Sequence, residues 1–255
     1  MSLGDHFREL RARVMRTLLV FVLGTIVAFF FYDRLFDLIF QPYNQARQML
    51  GKDTNTQAVI SGVGGPLMLQ VKLCSIAGIV ATSPWWLAEI WGFVVPGLHS
   101  NERKWTRLFA AAAGPLFLSG VAVGYYVLPK GIQVLLSFTP SYINSLVDFG
   151  EYFSFVTRML IVFGIAFEIP LFVILLNLAG VVSGAALGRH RPWIIIGTFV
   201  FAAVATPSTD PFSMLMLALP LLALLMISEG IARLVDRRRG RATPETWDDD
   251  AVSPI

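Results

Sequence analysis

Long apolar runs separated by short polar segments dominate the chain. The runs cover residues 14–36, 67–95, 105–128, 151–178, 193–205 and 212–227. A run of roughly 18 or more apolar residues matches a bilayer's hydrocarbon core and is hard to bury in a small soluble domain. The pattern therefore predicts an all-α membrane protein with six transmembrane helices, the last two short. At the α-helical rise, 193–205 reaches only ~20 Å and 212–227 only ~24 Å, against a hydrocarbon core of ~30 Å. Pro84 and Pro170 fall inside the second and fourth runs, and the long second run is expected to bend at Pro84. Residues 1–235 read as one six-span domain. Residues 236–255, ending near Asp248-Asp249-Asp250, read as a disordered tail.

Composition sharpens this picture. Of 255 residues, 55% are hydrophobic and only 15% charged, well below the quarter or so usual in a globular domain. The net charge of +3 is small and spread along the chain, which excludes a nucleic-acid-binding face. The single Cys74 allows no internal disulfide. The basic N-terminus before an apolar stretch invites comparison with a secretory leader. The stretch from Val14 to Tyr32 is longer than the roughly 7–15 residues of such a leader, however, and no small-residue cleavage site follows it. It is expected to be a retained first span.

Lys and Arg alternate in density from loop to loop. Arg8, Arg11, Arg13 and Arg16 precede the first run, and Arg103, Lys104 and Arg107 follow the second. Arg189 and Arg191 follow the fourth, and Arg233, Arg237, Arg238, Arg239 and Arg241 follow the sixth. The intervening loops hold only Arg34, Arg47, Lys52 and Lys130. Cytoplasmic loops concentrate positive charge, so both termini are expected in the cytoplasm, in a multi-pass protein of the cell inner membrane.

Signatures of intramembrane enzymes are missing. There is no Gly-x-Ser-x-Gly turn, no His-Glu-x-x-His pair and no phosphate-cradling loop. One cysteine and three scattered histidines are too few for a structural metal site. No enzyme activity, cofactor or metal is expected. Gly120 and Gly124 are spaced to let two helices pack closely.

The acidic residues carry most information. Glu168 lies deep in the fourth run, and Pro170 beside it withdraws a backbone donor, so the pair forms a polar notch in an apolar helix. Glu89 sits near the cytoplasmic end of the second run, within reach of water, and carries less weight. Before the first run, Phe7, Leu10 and Val14 share one helical face, while Glu9 and Arg13 stand one turn apart on another. Glu102 also lies among arginines; taken alone, both Glu9 and Glu102 read as salt-bridged loop residues.

Four motifs in order resemble the TatC family, the large membrane subunit of the twin-arginine protein translocase. His6-Phe7-Arg8-Glu9-Leu10-Arg11-x-Arg13 is similar to the family's N-terminal segment. Trp91-x-Phe93-x-x-Pro96-Gly97-Leu98 with Glu102-Arg103 resembles its first cytoplasmic loop, Phe167-Glu168-Ile169-Pro170 its fourth span, and Thr206–Ser213 its last outer loop. Pro42 sits where the family has a proline after span 1. The likeness covers about residues 5 to 235. The last outer loop carries one extra residue, which blurs the placing of Asp210. Met214 stands where a Gln is frequent, and Glu89 where a Gln is common.

The resemblance implies a receptor for signal peptides bearing two consecutive arginines, which also recruits small single-span subunits of the TatA/TatB type to export folded proteins. It implies contact with membrane lipid and association with further copies of itself. Glu9 and Glu102 would accept forked hydrogen bonds from the two guanidiniums, a geometry lysine cannot reproduce. Arg11, Arg13 and Arg103 would hold those carboxylates ionised, and Phe93 and Leu98 would meet the apolar part of the signal. Glu168 and Pro170 would receive a partner's span, and Pro42 and Asp210 would shape the outer face. The competing reading is an ion-coupled secondary transporter, which Glu168 and Pro170 at mid-depth would suit. No matching second half-helix or repeat supports it.

Overall fold

The computed structural model describes residues 3–51, 56–98, 103–138, 145–206 and 211–238. Among these the chain is almost wholly helical. It forms α1 (Leu3–Phe29), α2 (Tyr32–Leu50), α3 (Gly65–Ala81), α4 (Ser83–Leu98), α5 (Arg103–Ser137), α6 (Phe149–Leu178), α7 (Gly184–Arg189), α8 (Arg191–Ala205) and α9 (Pro211–Arg238). Two short strands, β1 (Thr56–Val59) and β2 (Ser145–Asp148), complete it.

Among the described residues, four helices are long and apolar enough to cross a membrane: Arg8–Phe29, Arg107–Ser137, Phe149–Leu178 and Pro211–Arg238. The α3–α4 pair makes a fifth crossing if taken as one span bent by 55°. That bend falls where the sequence placed it. Pro84 is the second residue of α4 and has no N–H to continue the ladder. At the corner, Thr82 caps α3 by donating from its hydroxyl to the Gly78 carbonyl at 2.7 Å.

The first apolar run does not form one helix to Phe36. The backbone tightens after α1, with the N–H groups of Phe30 and Phe31 bonding three residues back to Val27 and Ala28. A separate helix then starts at Tyr32. The polar stretch around Pro42, expected as a loop, is the body of α2. Ile39, Pro42, Tyr43 and Ala46 are its buried residues, a three-to-four-residue stripe against the core. Proline cannot donate to the carbonyl one turn back, at Leu38, and crowds the turn there. Tyr125 of α5 uses the opening, donating to the Leu38 carbonyl at 2.9 Å, and beside it Tyr152 of α6 donates to the Ile39 carbonyl at 2.6 Å. Pro42 thus frees the acceptor by which α2 is fastened to α5, next to the one that holds α6.

The third apolar run, 105–128, forms a helix that extends well past its end. The helix α5 continues through Pro115 and Pro129 for 35 residues. Its crossing with α6 uses the glycine pair singled out in the sequence. A Cβ on Gly120 would lie 2.5 Å from the Phe163 carbonyl oxygen, and one on Gly124 3.0 Å from the Phe163 side chain. Only glycine admits that approach.

Helix α6 is the hub. Its buried residues include Tyr152, Phe153, Val156, Phe163 and Leu175. It belongs to both apolar clusters. One holds Tyr43, Leu69, Phe153, Phe163, Leu217 and Leu221; the other holds Leu87, Trp91, Phe109, Phe117, Leu171 and Leu175.

At the end of the bundle remote from the N-terminus, β1 and β2 pair in parallel, from Thr56 opposite Ser145 to Val59 opposite Asp148. Asp148 caps α6, accepting from the Gly150 and Glu151 N–H groups at 2.7 and 3.1 Å. It also accepts from the Ser61 hydroxyl. The Ser61 bond first, and then the two backbone donors, hold its carboxyl below the usual range.

The last two helices are not equally short. α8 has 15 residues, but α9 has 28. The polar residues after 227 continue the helix instead of starting a tail, because α9 buries Ser228, Glu229, Ala232 and Asp236. α9 runs on to Arg238, past the boundary at residue 236, and residues 239–255 lie outside the described part.

Candidate recognition site

Helical spacing puts Glu9, Arg13 and Arg16 on successive turns of α1, on the side that meets the end of α4. Arg13 reaches both ways. Its Nε and Nη2 donate to Glu9 Oε1 at 3.1 and 2.8 Å, and its Nη1 donates to Glu89 Oε2 at 2.8 Å. Arg16 Nη1 donates to the other oxygen, Glu89 Oε1, at 3.2 Å. Gly92 makes room for this, since a Cβ there would lie 3.0 Å from Arg13 Nη1. The Glu89 side chain is 13% exposed, against 38% for Glu9 and 57% for Arg16.

An apolar groove of about 400 Å³ adjoins the cluster. Leu10, Val14, Leu18 and Phe21 of α1 form one wall, and Ile90, Phe93 and Val94 of α4 form the other. Arg13 and Glu89 also line it, so the cavity passes directly from hydrocarbon to ion pairs.

A second polar feature lies between α4 and α6. Trp91 donates its indole N–H to Glu168 Oε2 at 2.9 Å. Glu168 Oε1 is buried with no hydrogen-bond partner among the described residues, and a buried carboxyl so placed is short of one donor. Pro170 is buried inside α6, which continues through it.

A third cluster ties the ends of α6, α8 and α9. Arg191 donates from Nε and Nη2 to the two oxygens of Glu229 at 2.8 and 2.7 Å, and Arg233 pairs with the same carboxylate at 2.7 Å. Asp236 accepts from Asn177 Nδ2 at 2.9 Å and from the Gly184 N–H at 2.7 Å. Both of these bonds join α9 to neighbouring elements of the bundle, so they read as a fastening.

The structure thus gathers Glu9, Arg13 and Phe93 in one place. Arg11 is exposed and makes no ion pair among the described residues. Leu98 ends α4 and Arg103 begins α5, but their side chains, like Glu102 and Asp210 as a whole, lie outside the described part. Glu89 is the residue that sequence reasoning undervalued. A usable sign was there: a carboxylate three residues before a glycine, in an apolar helix facing a segment with Arg13 and Arg16 at matching spacing.

These features define a predominantly helical membrane protein with several apolar helices and a cluster of ion pairs between α1 and α4. A profile of the Sec-independent protein translocase protein TatC matches residues 5–220. A TatC of Corynebacterium kroppenstedtii is 39% identical, aligned over 100% of this chain and 67% of its own length. A TatC of Frankia casuarinae is 40% identical, over 100% and 73% respectively. A crystal structure of the twin-arginine translocase receptor TatC superposes with a TM-score of 0.75 at 30% identity, covering 89% of this chain and 99% of that one. The chain belongs to the TatC family: it is a component of the twin-arginine translocase, a transport protein of the membrane.

Proposed function

We propose that this chain is the receptor of its translocase, binding twin-arginine signal peptides and recruiting small single-span subunits so that folded proteins are exported. The observation that carries this reading is the groove between α1 and α4, apolar along its length and ending at carboxylates. A signal peptide has the matching order, a guanidinium pair followed by an apolar stretch. Glu9, paired to the groove-lining Arg13, and Glu102 of the α4–α5 loop would each accept one guanidinium, and Phe93 would meet the apolar part. Glu168 would take a donor from a partner's span at its open oxygen, with Trp91 holding the other.

The same reading sets the chain in the cell inner membrane with six spans. The bent α3–α4 pair is the second and the short α8 the fifth. The arginine-rich ends put both termini in the cytoplasm, with further copies of the chain and lipid around the bundle.

The test is binding of a labelled twin-arginine peptide to the full chain in detergent, with a twin-lysine peptide as control. Each charge-assisted bond contributes roughly 1.5–3 kcal/mol, so the double variant Glu9→Ala, Glu102→Ala should bind at least about a hundred-fold more weakly. Glu168→Ala should leave peptide affinity intact and lower export. Retained affinity in the double variant, or equal affinity for the lysine peptide, overturns the receptor reading. Lost peptide binding in Glu168→Ala overturns the division between the two sites.

A further inference from the structure

The ion cluster is built in a way that leaves room for a ligand. Arg13 takes one oxygen from each of two carboxylates, Glu9 Oε1 and Glu89 Oε2. The remaining oxygen of Glu9 has no partner among the described residues, and its side chain is 38% exposed. The remaining oxygen of Glu89 is held only by Arg16, at 3.2 Å, from a side chain that is 57% exposed. One fixed guanidinium is therefore flanked by one open acceptor and one loosely occupied acceptor.

We infer that Glu89 is a further carboxylate of the peptide site, beside Glu9, and that Arg16 is its resident occupant, displaced when a peptide guanidinium arrives. The inference rests on the receptor reading and adds a residue to it. Three observations favour it over a purely structural role for Glu89. The first is position: Glu89 and Arg13 both line the apolar groove, so a chain seated there reaches Glu89 directly. The second is exchange. Replacing Arg16 by a peptide arginine leaves the number of ion pairs on Glu89 unchanged, and the released Arg16, already half exposed, is hydrated at little cost. The third is environment. Glu89 is largely screened from water, where a charge-assisted bond is stronger than at the surface.

The experiment is a double-mutant cycle on the full chain in detergent at fixed salt, reading the dissociation constant of the twin-arginine peptide and the thermal midpoint of each variant. Glu89→Gln keeps the size of the side chain and removes its charge; affinity should fall about ten-fold or more. Arg16→Gln removes the competitor; affinity should rise about two- to five-fold, the worth of an exposed ion pair. Arg8→Gln removes the same charge from the same helix without touching Glu89, and should give a smaller rise. In the Glu89→Gln background, Arg16→Gln should do no more than Arg8→Gln, because the competed oxygen is gone.

Unchanged affinity in Glu89→Gln overturns the inference. An Arg16→Gln gain equal to that of Arg8→Gln, or one that persists in full without Glu89, overturns it too. A fall in affinity that tracks a fall in thermal midpoint across both Glu89→Gln and Glu89→Asp assigns Glu89 to the fold instead. Failure of the unaltered chain to bind any twin-arginine peptide overturns the receptor reading itself, and is recognised by the parent alone.

Discussion

Helices α1 and α6 are both apolar and both long enough to cross a bilayer, yet the molecule treats them in opposite ways. Only 6% of the apolar window of α1 is buried, against 50% of that of α6. Hydrophobicity does not separate them, because lipid tails receive an apolar side chain as readily as a neighbouring helix does. Close approach of backbones does. α6 meets α5 where Gly120 and Gly164 have no side chains, with Phe163 and Phe117 seated against them. α1 touches the bundle at two places: a crossing where Gly24 and Gly78 lie against Thr82 and Thr25, and the ion pairs of Arg13 and Arg16 with Glu89. The first helix is a peripheral member tied by one small-residue contact and one shared carboxylate, which suits an element that forms one wall of the α1–α4 groove.

The contrast can be broken at α5–α6 first. In Gly120→Leu the new side chain would start 2.5 Å from a backbone carbonyl, which no rotamer change relieves. The expected cost is roughly 3 kcal/mol, at the upper end for overpacking. It should be seen as loss of monodisperse protein in detergent and a large fall in thermal midpoint.

A milder change sharpens the contrast. In Gly78→Val the added atoms meet the Thr25 hydroxyl at 2.6 Å and its backbone nitrogen at 2.8 Å, but α1 is free to move outward. The cost should be smaller, about 1–2 kcal/mol. Spin labels on α1 and α3 should move apart while distances within α5, α6 and α9 stay as they were, and peptide affinity should fall with the groove. Equal collapse in both variants would make α1 as central as α6.

The smallest effect is expected at the cap of α6. Asp148 is held below its ordinary pKa, so the stability it contributes is present above the unfolded value, near pH 4, and is lost as pH falls through the folded value. Asp148→Asn keeps an acceptor for the N–H groups and removes the charge. The variant should unfold a few degrees lower at pH 7 and lose less than the parent on acidification below pH 4. Parallel pH profiles would show that the cap works without its charge.

Much of this was legible in the pattern of residues. Apolar runs gave the long helices, Pro84 the bend, and Gly120 and Gly124 the tight crossing. What stayed hidden depended on partners distant in sequence. The stripe of Ile39, Tyr43 and Ala46 in α2 was masked by the polar residues and the proline between them, and Pro42 makes sense only beside Tyr125 and Tyr152. Glu89 looked like a stray carboxylate because Arg13, its partner, stands 76 residues earlier. Glu229 and Asp236 looked like the start of a solvated tail. Their partners Arg191, Asn177 and Gly184 turn that stretch into two more turns of α9.

The parallel pairing of β1 with β2 also bears on the order in which the protein is made. Antiparallel strands can close through a tight turn as soon as both exist, but parallel ones need a crossover between them. Here the crossover is the whole of α3, α4 and α5. As the ribosome delivers the chain from its N-terminus, Thr56–Val59 emerges and waits without its partner until Ser145–Asp148 has been carried to the same side of the bilayer. The ladder therefore closes only after α5 has crossed, and its formation marks the moment at which the first half of the molecule and its central helix come into register.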